Sequence, residues 1–449
     1  METTFREIPH TVEDLRIPSS LIEDLVLRRA LLDGRTSIVR LAKSLALSVS
    51  LMERVVEGMR HQQYLEVQGS DGRDLVLTLS ALGKTQATER MALCRYVGPA
   101  PVNLHDYTNV VVAQTHRPEV DQQQLREAFS DLVIDDALLD ELGPAIRSKG
   151  AMFLYGPPGT GKSAIAERLV RVEHDAVLVP HAVAVDGQII TVFDPSTHLP
   201  VDPQPENLDP RWMACRRPSI IVGGELTGDQ LELIYEASTG IYLAPMQMLA
   251  NNGVLVIDDF GRQRLSPEQL LNRWIVPLDR GIDHLSLSYG FKFVVPCVPK
   301  IVFSTNLEPA SLGDEAFFRR IRSKVLIPPI ADDQFDEVLR IVAAKHGITV
   351  MPGAAEYLRW VSRHKGDGDL RPYLPGSVCE IVESISGYEG IPMVLDRDTI
   401  DRVANLYFTQ NQAMKGEAAD DHEVAPVWPV HLATEADAVG PGSAAAVSF

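Results

Sequence analysis

The sequence predicts an α/β protein built around a parallel sheet that is flanked by helices. Apolar runs at 151–155, 253–257 and 300–305 each indicate a buried strand, and each run is followed by glycine or polar residues. Continuous apolar strands are typical of parallel sheets covered on both faces, and ligands bind such sheets at the carboxyl ends of the strands. We therefore expect one functional site where these strands end.

The first strand leads through a glycine-rich loop into an amphipathic helix. The loop has the pattern G-x-x-x-x-G-K-S and comprises Gly156, Pro157, Pro158, Gly159, Thr160, Gly161, Lys162 and Ser163, with Ala164 next. The glycines let consecutive backbone N–H groups face one anion, the lysine reaches the terminal phosphates, and the serine hydroxyl can ligate Mg²⁺. The loop predicts a cradle for the phosphates of a nucleoside triphosphate.

The second and third strands also end in polar residues. Asp258 and Asp259 end the second strand, and Asn306 follows the third. Because a predicted phosphate cradle precedes this acidic strand in the sequence, we expect Asp258 to hold Mg²⁺, directly or through water, together with Ser163. Asp259 is expected to orient or deprotonate the attacking water. The sequence therefore predicts hydrolysis of the bound nucleotide.

Composition restricts the remaining functions. The chain has 449 residues and a net charge of −19, which argues against a whole surface that binds nucleic acid but allows a local basic patch. Its 4 cysteines are far apart in the sequence, which favours neither a zinc site nor a disulfide framework. The sequence has no apolar run typical of a membrane span and no secretory signal, so we expect a cytoplasmic protein without membrane insertion.

Residues 1–95 have the pattern of a winged-helix domain. A helical segment at 20–31 precedes a helix-turn-helix pattern, and two alternating strands flank a turn at 69–72. Residues 20–95 could therefore bind DNA, but the predicted recognition helix carries Glu53 and Glu57 as well as Arg54 and Arg60. Because phosphate binding requires clustered cations, a protein-docking or structural role is favoured over DNA binding. We expect residues 96–125 to form a linker.

The order of motifs in 110–415 resembles that of an AAA+ ATPase. Residues 156–163 resemble Walker A, 254–259 resemble Walker B, and Asn306 is similar in position to sensor 1. The segment 314–322 resembles the stretch that carries the arginine finger, and 368–371 resembles sensor 2. The resemblance implies ATP and Mg²⁺ as cofactors and a ring-shaped homo-oligomer, expected to be a hexamer.

The resemblance also implies roles for individual residues. Asn306 would contact the γ-phosphate and the attacking water. Arg371 would reach the bound phosphates from a helical lid, and either Arg319 or Arg320 would act as the arginine finger in a neighbouring subunit. One residue departs from the common pattern, since Asp259 stands where most AAA+ proteins have glutamate, and the shorter side chain leaves weak hydrolysis open.

The predicted domains follow from these motifs. A large α/β subdomain covers 126–330 and contains a β-hairpin insertion at about 181–224, a helical lid subdomain covers 331–415, and a disordered acidic tail covers 416–449. The tail has six acidic residues and no lysine or arginine. A second predicted hairpin, 284–288 with 291–295, resembles the pre-sensor-1 hairpin of one AAA+ clade.

Within that clade, the segments 260–263 and 370–373 look most like those of MoxR-like ATPases, a group to which chaperone activity is ascribed. This resemblance favours an ATP-driven motor that remodels an unidentified protein client. The alternatives are an AAA+ ATPase that acts on DNA through the winged helix, as an initiator, loader or regulator, and a nucleotide-gated scaffold with little turnover. The aromatic residues Trp212, Tyr242, Tyr289 and Phe291 are candidates for gripping a client, but packing in the core or between subunits is favoured for any single one of them.

Overall fold

The computed structural model describes residues 8–72, 74–115, 120–148, 150–308, 319–366 and 368–408. The predicted acidic tail therefore lies outside the described residues, as do residues 314–318 of the predicted finger segment. Within the described part of the chain, no helix is long and apolar enough to cross a membrane.

The N-terminal region has the predicted order of a helix, a helix-turn-helix and a hairpin. In its antiparallel sheet the strand 74–79 lies between 35–37 and 65–71, and Ser37, Ser48 and Ser80 cap the helices that follow them. That these elements form a winged-helix domain stays a prediction. The elements are α1 (Ser19–Asp33), β1 (Arg35–Ser37), α2 (Ile38–Leu45), α3 (Val49–His61), β2 (Leu65–Asp71), β3 (Asp74–Leu79) and α4 (Ala81–Leu93).

The segment predicted as a linker, 96–125, instead contributes regular structure. It contains β4 (Val102–Asn103), α5 (Leu104–Ala113) and the start of α6 (Gln122–Ala128). Tyr107 of α5 is buried, and its hydroxyl accepts a hydrogen bond of 2.9 Å from Nδ2 of Asn251. The prolines and glycine at 98–101 suggested a linker, but the apolar face of the following helix has a core to pack against.

The main sheet is parallel, and its strands lie in the order 219–222, 254–257, 300–305, 152–155 and 323–326. The strand 300–305 therefore lies between 152–155, which leads into the glycine-rich loop, and 254–257, which ends at the two aspartates. The elements from 126 to 330 comprise α7 (Asp136–Arg147), β5 (Met152–Tyr155), α8 (Lys162–Arg168), β6 (Ala176–Pro180), β7 (Ala182–Val185), β8 (Gln188–Thr191), β9 (Trp212–Arg216), β10 (Ser219–Val222), β11 (Ile234–Glu236), β12 (Ile241–Leu243), α9 (Met246–Leu249), β13 (Val254–Ile257), α10 (Pro267–Arg280), β14 (Ile282–Ser286), β15 (Lys292–Pro296), β16 (Lys300–Thr305) and β17 (Ser323–Leu326).

The predicted insertion contains the expected hairpin, β7–β8, but its boundary at 224 is wrong. Residues 219–222 form β10, the edge strand of the main sheet, because they pair in parallel with β13. The insertion instead continues with β11 and β12, which extend a second sheet of order β11-β12-β8-β7-β4. Ala182, Ala184 and Ile189 of its hairpin pack into the hydrophobic core of the N-terminal region. The insertion therefore connects the N-terminal region to the main sheet.

The second predicted hairpin is also present, and its turn contacts the insertion. Strands β14 and β15 pair in antiparallel register with Ser286 opposite Lys292. In the turn, the hydroxyl of Tyr289 donates a hydrogen bond of 2.7 Å to Asp186, between β7 and β8. The two hairpins are thus joined at their turns.

The C-terminal region is a small helical domain with its own core. Its elements are α11 (Asp332–His346), β18 (Thr349–Val350), α12 (Ala354–Lys365), α13 (Leu374–Glu389), β19 (Val394–Leu395) and α14 (Arg397–Tyr407). Phe335, Leu358, Val382 and Ile400 are fully or almost fully buried within it. Val133, from the segment before α7, packs against the same cluster. The helical domain therefore contacts the large α/β region close to the start of α7.

Lys300 fastens the start of β16 to the end of α7. Its ammonium donates hydrogen bonds to the carbonyl groups of Ala145, at 2.7 Å, and Ser148, at 2.8 Å. Burial lowers the pKa of Lys300 to about 8, although the carboxylate of Glu173 opposes this shift. The carbonyl groups that a helix leaves unpaired at its C-terminus are thereby satisfied.

Replacement of Lys300 by methionine should change how stability depends on pH. The pKa of about 8 in the folded protein is below the ordinary lysine value of 10.5, so the unfolded state binds more protons between these pH values and native stability rises with pH. From pH 8 to pH 10, urea unfolding should show wild type gaining on the order of 1 kcal/mol relative to Lys300→Met. The exposed Lys292→Met is the control. Equal pH dependence of wild type and Lys300→Met would contradict the assignment.

Candidate nucleotide site

The glycine-rich loop adopts a backbone that requires glycine. Gly156, Gly159 and Gly161 have φ values of 146°, 77° and 90°, in the region that other residues rarely adopt. At Gly156, a Cβ atom would lie 2.3 Å from the carbonyl oxygen of Ile327, which is a backbone atom next to β17. The pattern of glycines in the sequence therefore reflects both backbone conformation and close packing at this loop.

Lys162 is buried at the start of α8, with its ammonium directed at the loop. Nζ donates hydrogen bonds to the carbonyl oxygens of Gly156, at 3.1 Å, and Pro157, at 2.7 Å. Burial lowers the pKa of Lys162, while the nearby carboxylates of Asp258 and Asp259 oppose that shift. Lys162 therefore supplies a cation close to the two aspartates.

Ser163 and Asp258 meet although they are 95 residues apart in the sequence. The hydroxyl of Ser163 donates a hydrogen bond of 2.6 Å to Oδ2 of Asp258. These oxygens are the ligand type that Mg²⁺ prefers, and Mg²⁺ is commonly held by one or two protein ligands together with substrate phosphates. The described residues contain no group of three or more His, Cys, Asp or Glu that could hold a metal alone. The donor set thus fits a metal brought in with a nucleotide.

A tight turn follows β13 and fixes the two aspartates. Asp259 has a φ of 47°, and its N–H donates a hydrogen bond of 2.9 Å to Oδ1 of Asp258. The side chain of Gln263 donates to the carbonyl oxygen of Asp258 at 2.8 Å and accepts from the N–H of Gly261 at 2.8 Å. Gln263, which the sequence did not identify as a site residue, therefore holds the backbone of this turn.

Phe260 connects the same turn to β16. Its N–H donates to the carbonyl oxygen of Ser304 at 2.7 Å, and its carbonyl oxygen accepts from the hydroxyl of Thr305 at 2.8 Å. Its ring packs edge-on against Phe153 and Phe303, with centroids 5.8 and 5.2 Å away. Because Asn306 follows Thr305 directly, this packing fixes Asn306 relative to the aspartates.

The glycine-rich loop, the two aspartates and Asn306 line one cavity of about 650 Å³. Pro158 to Ala164, Asp258, Asp259 and Asn306 form part of its wall, whereas Gly156 and Pro157 are not in the lining and contribute the carbonyl groups that hold Lys162. Every other predicted residue of the loop therefore reaches the cavity, together with the carboxylates and the amide.

The rest of the cavity wall was not predicted from the sequence. An apolar part combines the segment before α7 and the helical domain, and the residues are Leu132, Val133, Ile134, Leu138, Ile330, Val338 and Val342. Arg262, Gln334, Ser377 and Glu380 add polar groups. The short apolar run 132–134 between Asp131 and Asp135 is the sequence feature that could have indicated this apolar wall. A cavity with a phosphate loop at one side and an apolar wall elsewhere suits a nucleotide.

The three predicted arginines also lie outside this cavity. Arg371 lines a second cavity of about 240 Å³, although it is near enough to Lys162 to lower the pKa of that lysine. Arg320 forms an ion pair of 2.8 Å with Asp279 of α10, and neither Arg319 nor Arg320 lines the nucleotide cavity. The structure thus brings together the loop, the carboxylates and Asn306, but not the arginines.

The four aromatic candidates divide into two classes. Trp212 and Tyr242 are each 2% exposed, so they belong to the core and are not available to a client. Tyr289 and Phe291, on the turn of the second hairpin, are 56% and 42% exposed. Only this second pair remains a candidate for contact with a partner.

Comparison with known proteins gives limited matches. A family model described as "Domain of unknown function (DUF8689)" matches residues 331–406, which span the helical C-terminal domain. No curated protein sequence matches the chain. Similar solved structures include the Thermotoga maritima RuvB Holliday junction branch migration motor, at 13% identity and a TM-score of 0.35, covering 64% of this chain and 70% of that chain. The structure of NtrX from Brucella abortus is similar at 14% identity and a TM-score of 0.41, and the match covers 61% of this chain and 55% of that chain.

Because both TM-scores are below 0.5, the class of the protein rests on its own strand order and site. The predicted α/β class, a P-loop module with a parallel sheet flanked by helices and a small helical domain, is confirmed. The phosphate loop follows the strand β5, and the acidic residues and Asn306 follow the strands β13 and β16 at the same edge of the sheet.

Removal of the Ser163 hydroxyl should weaken nucleotide binding only when Mg²⁺ is present. If the site binds ATP with Mg²⁺ as the sequence predicts, Ser163→Ala deletes one metal ligand, and the affinity for ATP with Mg²⁺ should fall about tenfold or more, as measured by calorimetry. Affinity in the presence of a chelator should change little. Ser163→Thr keeps the hydroxyl and is the matched control. An unchanged Mg²⁺ dependence in Ser163→Ala would show that this hydroxyl is not a metal ligand.

Proposed function

We propose that this protein is an AAA+ ATPase that binds ATP with Mg²⁺ and hydrolyses it. The contact between Ser163 and Asp258, directly beside the phosphate loop, is the observation that carries the proposal. It unites a phosphate cradle, a pair of oxygen ligands for the metal and a second carboxylate in one cavity. The position of β16 between the loop strand and the acidic strand adds Asn306 to the same group.

In this proposal each residue has a distinct task. The backbone of 158–161 and the ammonium of Lys162 bind the phosphates, while Ser163 and Asp258 hold Mg²⁺, which stabilises charge on the transferring phosphoryl group. Asp259 orients or deprotonates the attacking water, and the amide of Asn306 hydrogen-bonds the water and the terminal phosphate. Arg371 would contact the phosphates from the helical domain; it lines the neighbouring cavity and is near enough to Lys162 to lower the pKa of that lysine.

The active assembly is proposed to be a ring of identical subunits, most simply a hexamer. Arg319 and Arg320 lie outside the nucleotide cavity of their own chain, which suits an arginine that acts on the neighbouring subunit. Hydrolysis would then require assembly of the ring. The two arginines remain alternatives for this role.

The proposed substrate of the motor is a protein client in the cytoplasm, as in MoxR-like ATPases. The exposed face of α3 carries Glu53 and Glu57 beside Arg54 and Arg60, so it lacks the excess of cations that DNA binding needs. Tyr289 and Phe291 instead present exposed aromatic surface. Action on DNA through 20–95, or a scaffold role with little turnover, are the alternative functions.

The assignment of the water-activating group predicts a separation of binding from hydrolysis. Asp259→Asn should bind ATP with nearly unchanged affinity, because it removes neither a phosphate nor a metal ligand. Its rate of phosphate release should fall by about 10²–10⁴, the usual contribution of a general base. Lys162→Ala should lose ATP binding itself. If Asp259→Asn hydrolyses ATP at the wild-type rate, another group activates the water.

A trapped variant can identify the client. With ATP bound, Asp259→Asn should retain a polypeptide partner in a pull-down that Lys162→Ala fails to retain. Phe291→Ser, which removes one exposed ring, should reduce recovery without loss of ATP binding. Salt-dependent retention of duplex DNA in place of a polypeptide would favour the DNA alternative. Rapid assembly with ATP but no turnover and no partner would favour the scaffold.

Subunit mixing should reveal an arginine that acts between subunits. Arg319→Ala and Arg320→Ala each leave an intact phosphate loop, whereas Lys162→Ala leaves both arginines intact. If one arginine is the finger, mixing its inactive variant with Lys162→Ala should restore measurable ATPase activity, because some interfaces then combine an intact loop with an intact arginine. Absence of rescue with either arginine variant would exclude both residues from this role.

A further inference from the structure

Tyr373, which directly precedes α13, packs against the phosphate loop. A Cβ atom on Gly159 would lie 2.2 Å from Cε1 and 2.4 Å from Cδ1 of the Tyr373 ring. The ring therefore fills the space that a side chain at position 159 would take. Gly159 is the loop residue with a φ of 77°, so the contact falls on a segment whose backbone is already restricted. The Tyr373 side chain is 42% exposed, so its ring covers the loop from the protein surface.

The same side chain separates two cavities. Tyr373 lines the nucleotide cavity of about 650 Å³ and also the second cavity of about 240 Å³. The second cavity is lined on its other sides by Asp369 and Arg371 and by Tyr407 and Phe408. Tyr373 is thus in contact with the phosphate loop on one side and faces the end of the C-terminal helix on the other.

On the side of the second cavity, the hydroxyl of Tyr373 is paired with the hydroxyl of a second tyrosine, Tyr407. Tyr407 is the last residue of α14. Tyr373 and Tyr407 line the second cavity together. Burial and hydrogen bonding to Tyr373 together raise the pKa of Tyr407 to about 12, while hydrogen bonding to Ser377 opposes the shift. A continuous path of contacts therefore runs from Gly159 through Tyr373 to the end of α14.

We propose that Tyr373 is a positioning residue that couples nucleotide binding at the phosphate loop to the C-terminal end of α14. The ring supports the loop, and the hydroxyl passes a change in ring position to Tyr407. Arg371, two residues before Tyr373, lines the same second cavity. The inference rests on the proposed binding of ATP.

Conservative variants separate the two ends of this path. Tyr373→Phe keeps the ring against Gly159 and loses only the hydroxyl, and Tyr407→Phe removes the other hydroxyl of the same pair. Tyr373→Ala removes the ring contact as well. Tyr388→Phe is the matched control, because Tyr388 lies on the same helix α13 and is 93% exposed. The measurements are the Kd for ATP with Mg²⁺ and hydrogen exchange of 397–408 with and without ATP.

Tyr373→Ala should weaken ATP binding about tenfold, whereas both phenylalanine variants should stay within about twofold of wild type. In wild type and Tyr388→Phe, ATP should alter hydrogen exchange in 397–408, and this change should fall by at least half in Tyr373→Phe and Tyr407→Phe. Wild-type affinity in Tyr373→Ala, or an unaltered exchange response in both phenylalanine variants, would overturn the inference. Failure of wild type to bind ATP would instead overturn the proposed function.

Discussion

The site depends on the parallel hydrogen bonding of β5, β16 and β13. In a parallel sheet the carboxyl ends of neighbouring strands lie at one edge, so Ser163, Asp258 and Asn306 converge although they are distant in the sequence. The burial of these strands excludes water from their hydrogen bonds and keeps the register fixed. Phe260 adds a second constraint, because its backbone bonds to β16 and its ring packs within the core.

The parts of the site that carry a distinctive local sequence signal could be predicted, whereas the apolar wall of the cavity could not. The glycine pattern of 156–163 reports a backbone conformation directly, and Asp258, Asp259 and Asn306 follow strands with a clear apolar signal. The apolar wall joins Leu132 and Ile134 to Val338 and Val342, whose side chains look like ordinary core residues. Their contribution to a cavity depends on how two domains pack.

The departures in the fold have the same physical origin. The glycine and prolines at 98–101 precede the helix 104–113, and the sequence alone does not reveal that Tyr107 and Val111 of this helix have a core to enter. Likewise, 219–222 has the composition of any short buried strand, and only pairing with β13 identifies it as the edge of the main sheet. Hydrophobic pattern predicts that an element exists, whereas its partner is decided by tertiary packing.

The shared core between the N-terminal region and the β7–β8 hairpin has a mechanical consequence. Ala182, Ala184 and Ile189 are buried against that region, and the N–H of Arg95 donates a hydrogen bond of 2.7 Å to the carbonyl oxygen of Thr239. The N-terminal region is therefore packed firmly against the insertion, and we expect the two to rotate together. Removal of residues 1–95 would expose the apolar side chains of the insertion that the N-terminal region covers, and this exposed surface would promote aggregation.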